Sequence, residues 1–240
     1  GTQAIADLRP EVRARALAWL SRDLDDALLR FVDRCEAGDR LLCCFYEFRY
    51  RPVAERLKAA ADRGVDIGLI VDAKVNERTD KNGVLIPSFP REDNLRMLGE
   101  IGFPAGVVRL REAGRNYIQH NKFMVRLAGG TPTEVWTGST NMSQGGISGQ
   151  TNVGHWLRNP AIADQFRRYW ELLADDPGGR TGDDQKTVRE RNRAFRTAVE
   201  ELSPVPTDLR ELPAGTSVIF SPRLSGAVLA SHAALLDSAD

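Results

Sequence analysis

The feature that most constrains the fold is a strand–helix–strand unit near the start of the chain. The apolar run RLLCCFYEF (residues 40–48) is too short for a helix and predicts a buried strand. PVAERLKAAADRG (52–64) predicts a helix that begins at Pro52 and ends at Gly64. VDIGLIVD (65–72) then predicts a second buried strand. Because such a unit makes its strands parallel and covers them with helices, we expect an α/β fold: a mixed, largely parallel sheet flanked by helices on both faces.

Spacing and composition divide the chain into three parts. Apolar residues at helical spacing predict a helix over residues 9–38, and we assign residues 1–175 to one α/β half-domain. A Gly- and Asp-rich stretch with a charged helix after it predicts a linker at residues 176–215. Residues 216–240 predict the start of a second, similar half, because their terminal helix repeats the apolar spacing of residues 24–39. The alternative is a C-terminal helix that packs back on the first domain.

Charge and cysteine content narrow the function classes. The chain has 33 basic and 33 acidic residues, whereas a dedicated nucleic-acid-binding protein usually carries a basic excess. A local basic groove remains compatible with this balance. The cysteines, Cys35, Cys43 and Cys44, form neither a disulfide framework nor a metal-binding spacing. They favour reduced thiols and a cytoplasmic location, with a removed signal peptide as the alternative, and no transmembrane segment is expected.

A second constraint is the stretch HNKFMVRLAGGTPTEVWTGSTN, residues 120–141. A histidine and a lysine two positions apart at the head of a strand place both side chains on one face of the sheet. The next strand pairs across the Gly-Gly turn and brings GSTN to the same end. Such an imidazole can act as a nucleophile, while the lysine and the small polar groups stabilise charge on phosphoryl oxygens. The predicted catalytic residues are His120, Lys122 and Asn141, and the predicted substrate-binding residues are Gly138 and Ser139.

The segment just before this stretch adds two candidate substrate-binding residues, Arg115 and Tyr117. The alternative is that both are solvated loop residues without a binding role. The other two histidines, His155 and His232, lack a lysine two residues on, and we interpret both as structural. No metal-ligand cluster, Walker loop or Gly-x-Ser-x-Gly turn occurs in the sequence, so neither a metal nor a cofactor is expected.

The pattern His120-x-Lys122, strand, turn, strand, Gly138-Ser139-x-Asn141 resembles the signature of the phospholipase D superfamily. The resemblance covers about residues 20–173 and includes the strand–helix–strand entry and TNVGHWL, in which Asn152 matches a frequent asparagine. One departure is Leu127, which stands where the family has an aspartate.

The resemblance implies a shared site between two such halves, each of which supplies one His-x-Lys motif. One histidine attacks phosphorus to form a phosphohistidine, the other protonates the leaving alcohol, and most members need no metal for this chemistry. This chain contains one such motif. The second half is therefore expected either from the rest of the same polypeptide or from a symmetric copy.

Three functions follow from these observations. The first is a phosphodiesterase that hydrolyses or transfers phosphodiester bonds, with a phospholipid substrate slightly preferred. The second is a nuclease of the same superfamily that cleaves DNA or RNA. The third is a catalytically silent scaffold or binding module, which Leu127 and the missing second motif would explain.

Overall fold

The computed structural model describes residues 4–112, 119–180 and 182–238 of the 240-residue chain. The helices are α1 (Pro10–Ser21), α2 (Leu24–Asp33), α3 (Arg51–Asp62), α4 (Arg91–Ile101), α5 (Gln144–Ser148), α6 (Pro160–Ala174), α7 (Gln185–Leu202) and α8 (Ala227–Asp237). The strands are β1 (Arg40–Phe45), β2 (Asp66–Asp72), β3 (Arg78–Thr79), β4 (Leu85–Ile86), β5 (Val108–Arg111), β6 (Lys122–Ala128), β7 (Thr131–Gly138) and β8 (Gly154–Leu157).

The main sheet has six strands in the order β5-β2-β1-β6-β7-β8. The pairs β1/β2 and β2/β5 are parallel, and the pairs β1/β6, β6/β7 and β7/β8 are antiparallel. The short strands β3 and β4 form a separate hairpin. The predicted α/β class, a mixed sheet flanked by helices, is confirmed, and β1, β2 and β5 form its parallel part.

Two apolar cores lie on opposite faces of this sheet, because neighbouring residues of a strand point to opposite sides. On β1, Leu41, Cys43 and Phe45 pack with α2, α3 and α4, whereas Leu42 and Cys44 pack with α6 and α7. Helices therefore cover both faces. The cysteine thiols of β1 are buried and form no disulfide. A site accessible to substrate must lie at an edge of the sheet.

The edge that carries the predicted site is the one where the parallel strands end. Strand β6 begins there, β7 ends there and β8 begins there, because β6, β7 and β8 alternate in direction. Ligands of open α/β sheets bind at the carboxyl ends of parallel strands. The register pairs at this edge are Asp72 with Arg111, Phe45 with Lys122, and Gly138 with Gly154.

The N-terminal helix predicted over residues 9–38 is two helices in the structure. Arg22 and Asp23 adopt left-handed backbone conformations, with φ of 50° and 66°, and separate α1 from α2. The apolar spacing continues through this break, so periodicity alone predicted a single helix. The break lets α2 lie on the sheet while α1 stays largely exposed.

The C-terminal third contributes one packed helix and one exposed helix. Helix α7 packs against α6 and buries Phe195, Val199 and Leu202 in the second core. Helix α8 buries none of its residues and contacts the short 3-10 helix Leu209–Glu211. Within the described ranges, no helix is long and apolar enough to cross a membrane.

Candidate active site

The side chains of His120 and Lys122 converge on the ring of Tyr46. The imidazole of His120 lies 4.6 Å from that ring, centroid to centroid, and the Nζ of Lys122 lies 5.4 Å from the ring centroid. The Nζ of Lys122 also donates a 2.7 Å hydrogen bond to the carbonyl oxygen of His120. His120 is exposed, whereas Lys122 is only 4% exposed. An accessible imidazole is thus held beside a buried cation.

Backbone and amide hydrogen bonds fix the chain on both sides of His120. The N–H of Tyr46 donates to the carbonyl oxygen of Asn121 at 3.1 Å and extends the pairing of β1 with β6. The side chain of Gln119 donates to the carbonyl oxygen of Phe45 at 3.1 Å and accepts from the N–H of Asn121 at 2.6 Å. The residue before His120 and the residue after it are therefore both anchored to the end of β1.

Glu47 joins the site from the loop after β1, and the motif analysis missed it. Its Oε1 accepts a 2.8 Å hydrogen bond from the side-chain amide of Asn141, and its Oε2 accepts one of 2.9 Å from the Nε of Arg49. Glu47 is 8% exposed, so its carboxylate acts in a largely dry environment. The Oδ1 of Asn141 is buried and has no hydrogen-bond partner in the described part of the chain. Glu47 thus orients Asn141 and supplies a negative charge near Lys122.

The turn after β7 holds the remaining motif residues. The hydroxyl of Ser139 donates to the side-chain oxygen of Asn152 at 3.1 Å and accepts from the N–H of Val153 at 3.0 Å. Asn152 in turn donates to the carbonyl oxygen of Gly146 at 2.7 Å. A Cβ on Gly138 would overlap the carbonyl oxygen of Val153, so glycine lets β7 and β8 approach closely here. Ser139 and Asn152 therefore hold this turn together.

Burial and charge shift the pKa values of both central groups. Burial lowers the pKa of His120, and the charge of Lys122 lowers it further, while Glu47 opposes the shift. Burial also lowers the pKa of Lys122, to about 8, against the raising effect of Glu47 and Cys44. At neutral pH these directions leave His120 as the neutral imidazole, which is the nucleophilic form, and Lys122 mostly protonated.

Other residues singled out from the sequence lie away from this cluster or outside the described ranges. Arg115 and Tyr117 lie outside the residues that the structure describes. Leu127 is 5% exposed in the core at the far end of β6, where it pairs with Arg40. His155 is exposed on β8.

Two further observations concern His232 and metal binding. The Nδ1 of His232 lies 2.7 Å from the carbonyl oxygen of Val228 within α8. Among the described residues, His, Cys, Asp and Glu side chains do not gather in groups of three or more that could hold a metal ion.

Comparison with known proteins gives one family. The family model described as "Cardiolipin synthase, PLD-like domain" matches residues 30–173, which contain all of the site described above. No curated protein sequence matches the chain.

Solved structures with a similar fold include two from bacteria named as Nuc proteins. Nuc from Salmonella typhimurium, a phospholipase D family member, is 22% identical over 60% of this chain and 82% of its own, with a TM-score of 0.43. NucT from Helicobacter pylori is 15% identical over 66% of this chain and 91% of its own, with a TM-score of 0.45. Phosphatidylserine synthase from Haemophilus influenzae Rd KW20 is 11% identical over 85% of this chain but 46% of its own, with a TM-score of 0.48. These likenesses are distant, and the family model is the stronger finding.

Proposed function

This chain belongs to the family of cardiolipin synthase PLD-like domains, and from that membership we propose that it cleaves or transfers phosphodiester bonds through a phosphohistidine on His120. The observation that supports this best is the convergence of His120 and Lys122 on Tyr46 at the open edge of the sheet. It gives an accessible neutral imidazole next to a cation, which is what attack on an anionic phosphodiester requires.

In the first step, a ring nitrogen of His120 attacks phosphorus and forms a P–N bond while the P–O bond to the leaving alcohol breaks. The alcohol oxygen takes a proton from a general acid as it leaves. In the second step, water or a second alcohol attacks phosphorus, gives its proton to the deprotonated general acid and breaks the P–N bond, which restores both the imidazole and the acid. Dividing the displacement in this way is covalent catalysis, and the acid contributes about a hundred- to ten-thousandfold in rate.

Lys122 and Asn141 stabilise the charge on the phosphoryl oxygens in this proposal, since the hydroxyl hydrogen of Ser139 is donated to Asn152. Lys122 sits in a low-dielectric environment, where one charge-assisted phosphate contact lowers the barrier by about 2–4 kcal/mol. Asn141 has one amide hydrogen left after its bond to Glu47. The hydroxyl of Ser139 and the close backbone at Gly138 complete the predicted binding surface.

The general acid in this proposal is the histidine of a second PLD-like half. That half is either a further part of the same polypeptide, which would begin near residues 216–240, or a symmetric copy. The exposed Leu229 and Leu236 of α8 support the presence of a partner surface in either arrangement, because such apolar surface normally packs against another element.

We propose a phospholipid as the substrate, since the description of the matched family names a synthase of a phospholipid. The test incubates the complete polypeptide that carries this chain with labelled phosphatidylcholine vesicles and, separately, with labelled single-stranded DNA, each with and without EDTA. Lipid cleavage alone supports the proposal. Cleavage of DNA alone makes the protein a nuclease, and cleavage of neither makes it a silent scaffold.

Matched variants assign the activity to the site. We expect His120→Ala to abolish cleavage and Lys122→Ala to reduce it about thirty- to a thousandfold, in line with a loss of about 2–4 kcal/mol. His155→Ala, an exposed histidine at the same edge of the sheet, is the control and retains activity. Retention of most activity by either of the first two variants would move the chemistry elsewhere.

A further inference from the structure

A cavity of about 350 Å³ opens beside His120, on the face of the sheet that α6 and α7 cover. Arg111 and Asn121 line it from the sheet, and Asn192 and Arg196 line it from α7. None of the motif residues other than His120 lines this cavity. It is therefore a space next to the proposed nucleophile that Lys122, Ser139 and Asn141 do not line.

Arg111, the last residue of β5, is 5% exposed and lines this cavity. Its Nη1 donates to Asp176 at 3.2 Å, but its Nε is buried without a hydrogen-bond partner in the described part of the chain. A buried N–H that lacks an acceptor destabilises the fold, so native proteins rarely leave one without a reason. An acceptor that arrives with a ligand would satisfy it.

Arg196 contributes a second donor of the same kind. Its Nε is also buried without a partner among the described residues, and the side chain lines the same cavity. On α7, Asn192 and Arg196 are four residues apart, which places both on the face that looks toward the sheet. Two arginines from different elements thus line one small space, and each has a buried Nε without a hydrogen-bond partner among the described residues.

The cavity carries a positive charge that the protein compensates only in part. The charged or titratable groups that line it are Arg111, Arg196, His120 and Tyr169, and the described lining includes no carboxylate. Asp176 pairs with Nη1 of Arg111 from outside the cavity, and the Nε of Arg111 has no partner among the described residues. Guanidinium groups bind phosphate oxygens through paired charge-assisted hydrogen bonds, and the volume is enough for one phosphate group with a few attached atoms.

We propose that this cavity binds a second phosphate group of the substrate, next to the phosphodiester that His120 attacks. The inference deepens the proposed function and rests on it for the identity of the reacting diester. The preferred substrate is then a diester that carries a further phosphate. Arg111 and Arg196 are the residues that select this substrate.

The test measures binding without turnover, in a Lys122→Met background that removes the cation of the proposed reaction centre but none of the cavity lining. Calorimetric titration with inorganic phosphate shows whether the cavity holds an anion. Titration with glycerophosphoglycerol and with its terminally phosphorylated form shows whether a second phosphate on a diester is recognised.

We expect one phosphate site in Lys122→Met and at least tenfold weaker binding when Arg196→Gln is added. The phosphorylated diester should bind at least tenfold more tightly than the unphosphorylated one, and Arg196→Gln should remove that difference. Arg193→Gln is the matched control, since Arg193 lies on the same helix but is exposed and does not line the cavity. It should change each dissociation constant by less than twofold.

Each remaining outcome contradicts the proposal. Absence of phosphate binding in Lys122→Met, or binding that Arg196→Gln leaves intact, would show that the cavity is not an anion site. Phosphate binding without a preference between the two diesters would assign the cavity to free phosphate and overturn its role in substrate selection. Because no step depends on catalysis, a failure of the proposed reaction would be recognised separately, by the absence of diester cleavage.

Discussion

The Nζ of Lys122 donates a 2.7 Å hydrogen bond to the carbonyl oxygen of His120, so the cation of the site is bonded to the backbone of the residue that it assists. This bond fixes the distance between the positive charge and the imidazole. The position of the lysine charge is therefore tied to the backbone of His120.

The first prediction concerns the pH dependence of activity. His120 must be neutral to attack, and its pKa is lowered by burial and by Lys122, so the acidic rise of kcat/KM should lie at a lower pH than for an ordinary histidine. Lys122 must be protonated, and its pKa is about 8, so activity should fall again above pH 8. In Lys122→Arg, whose side chain stays charged, the alkaline decline should move up by about one pH unit or more. An unchanged decline would assign it to another group.

A second prediction tests Glu47. The carboxylate favours the protonated form of Lys122, so Glu47→Gln should lower the pKa of Lys122 and shift the alkaline decline down by about one pH unit. The amide oxygen can still accept from Asn141, which separates the effect of charge from that of shape. Glu92→Gln, an exposed glutamate on α4, is the control with an unaltered profile. A Glu47→Gln profile like that of the control would exclude the electrostatic role.

A third prediction concerns the close approach of β7 and β8. Gly138→Ala adds a methyl group that overlaps the carbonyl oxygen of Val153, and we expect a loss of about 1–3 kcal/mol in the free energy of unfolding. Gly145→Ala, where a Cβ meets nothing within 4 Å, should change stability by less than about 0.5 kcal/mol. Chemical denaturation of both variants measures the difference. Equal stability would show that the two strands can separate without cost.

The fourth prediction addresses the departure from the family pattern. Leu127 is buried at the end of β6 away from His120, so Leu127→Asp should cost about 2 kcal/mol or more by burying a carboxylate. It should not raise kcat/KM per folded molecule. Leu127→Met, which keeps the volume, should cost less than about 1.5 kcal/mol. An activity gain in the aspartate variant would show that this position communicates with the site.

Local signals predicted much of the fold. The strand–helix–strand unit and the pairing of β6 with β7 follow from short apolar runs and from the glycine pair at the turn, where Gly129 and Gly130 adopt φ of 54° and 86°. The break between α1 and α2 escaped prediction, because a left-handed pair such as Arg22 and Asp23 leaves the apolar spacing unchanged.

The candidate site was predicted where its residues belong to one sequence motif, which includes Asn141, and not where a residue such as Glu47 lies outside it. His120 and Lys122 are two positions apart, and the motif identified them. Glu47 and Asn141 are 94 positions apart, and only the folded sheet places the carboxylate against the amide. The same holds for Arg111 on β5 and Arg196 on α7, which line the same cavity from different elements. Contacts between residues that are far apart in the chain leave no local sequence pattern from which they could be predicted.

The central claim is that His120 becomes covalently attached to phosphorus. The most direct measurement mixes the complete polypeptide with a substrate labelled at the phosphatidyl group, quenches it in alkaline denaturant that preserves phosphohistidine, and locates the label by peptide mapping. We predict label on the peptide that contains His120, and none in His120→Asn. Turnover of substrate with no label on His120, or label that persists in His120→Asn, would contradict the mechanism.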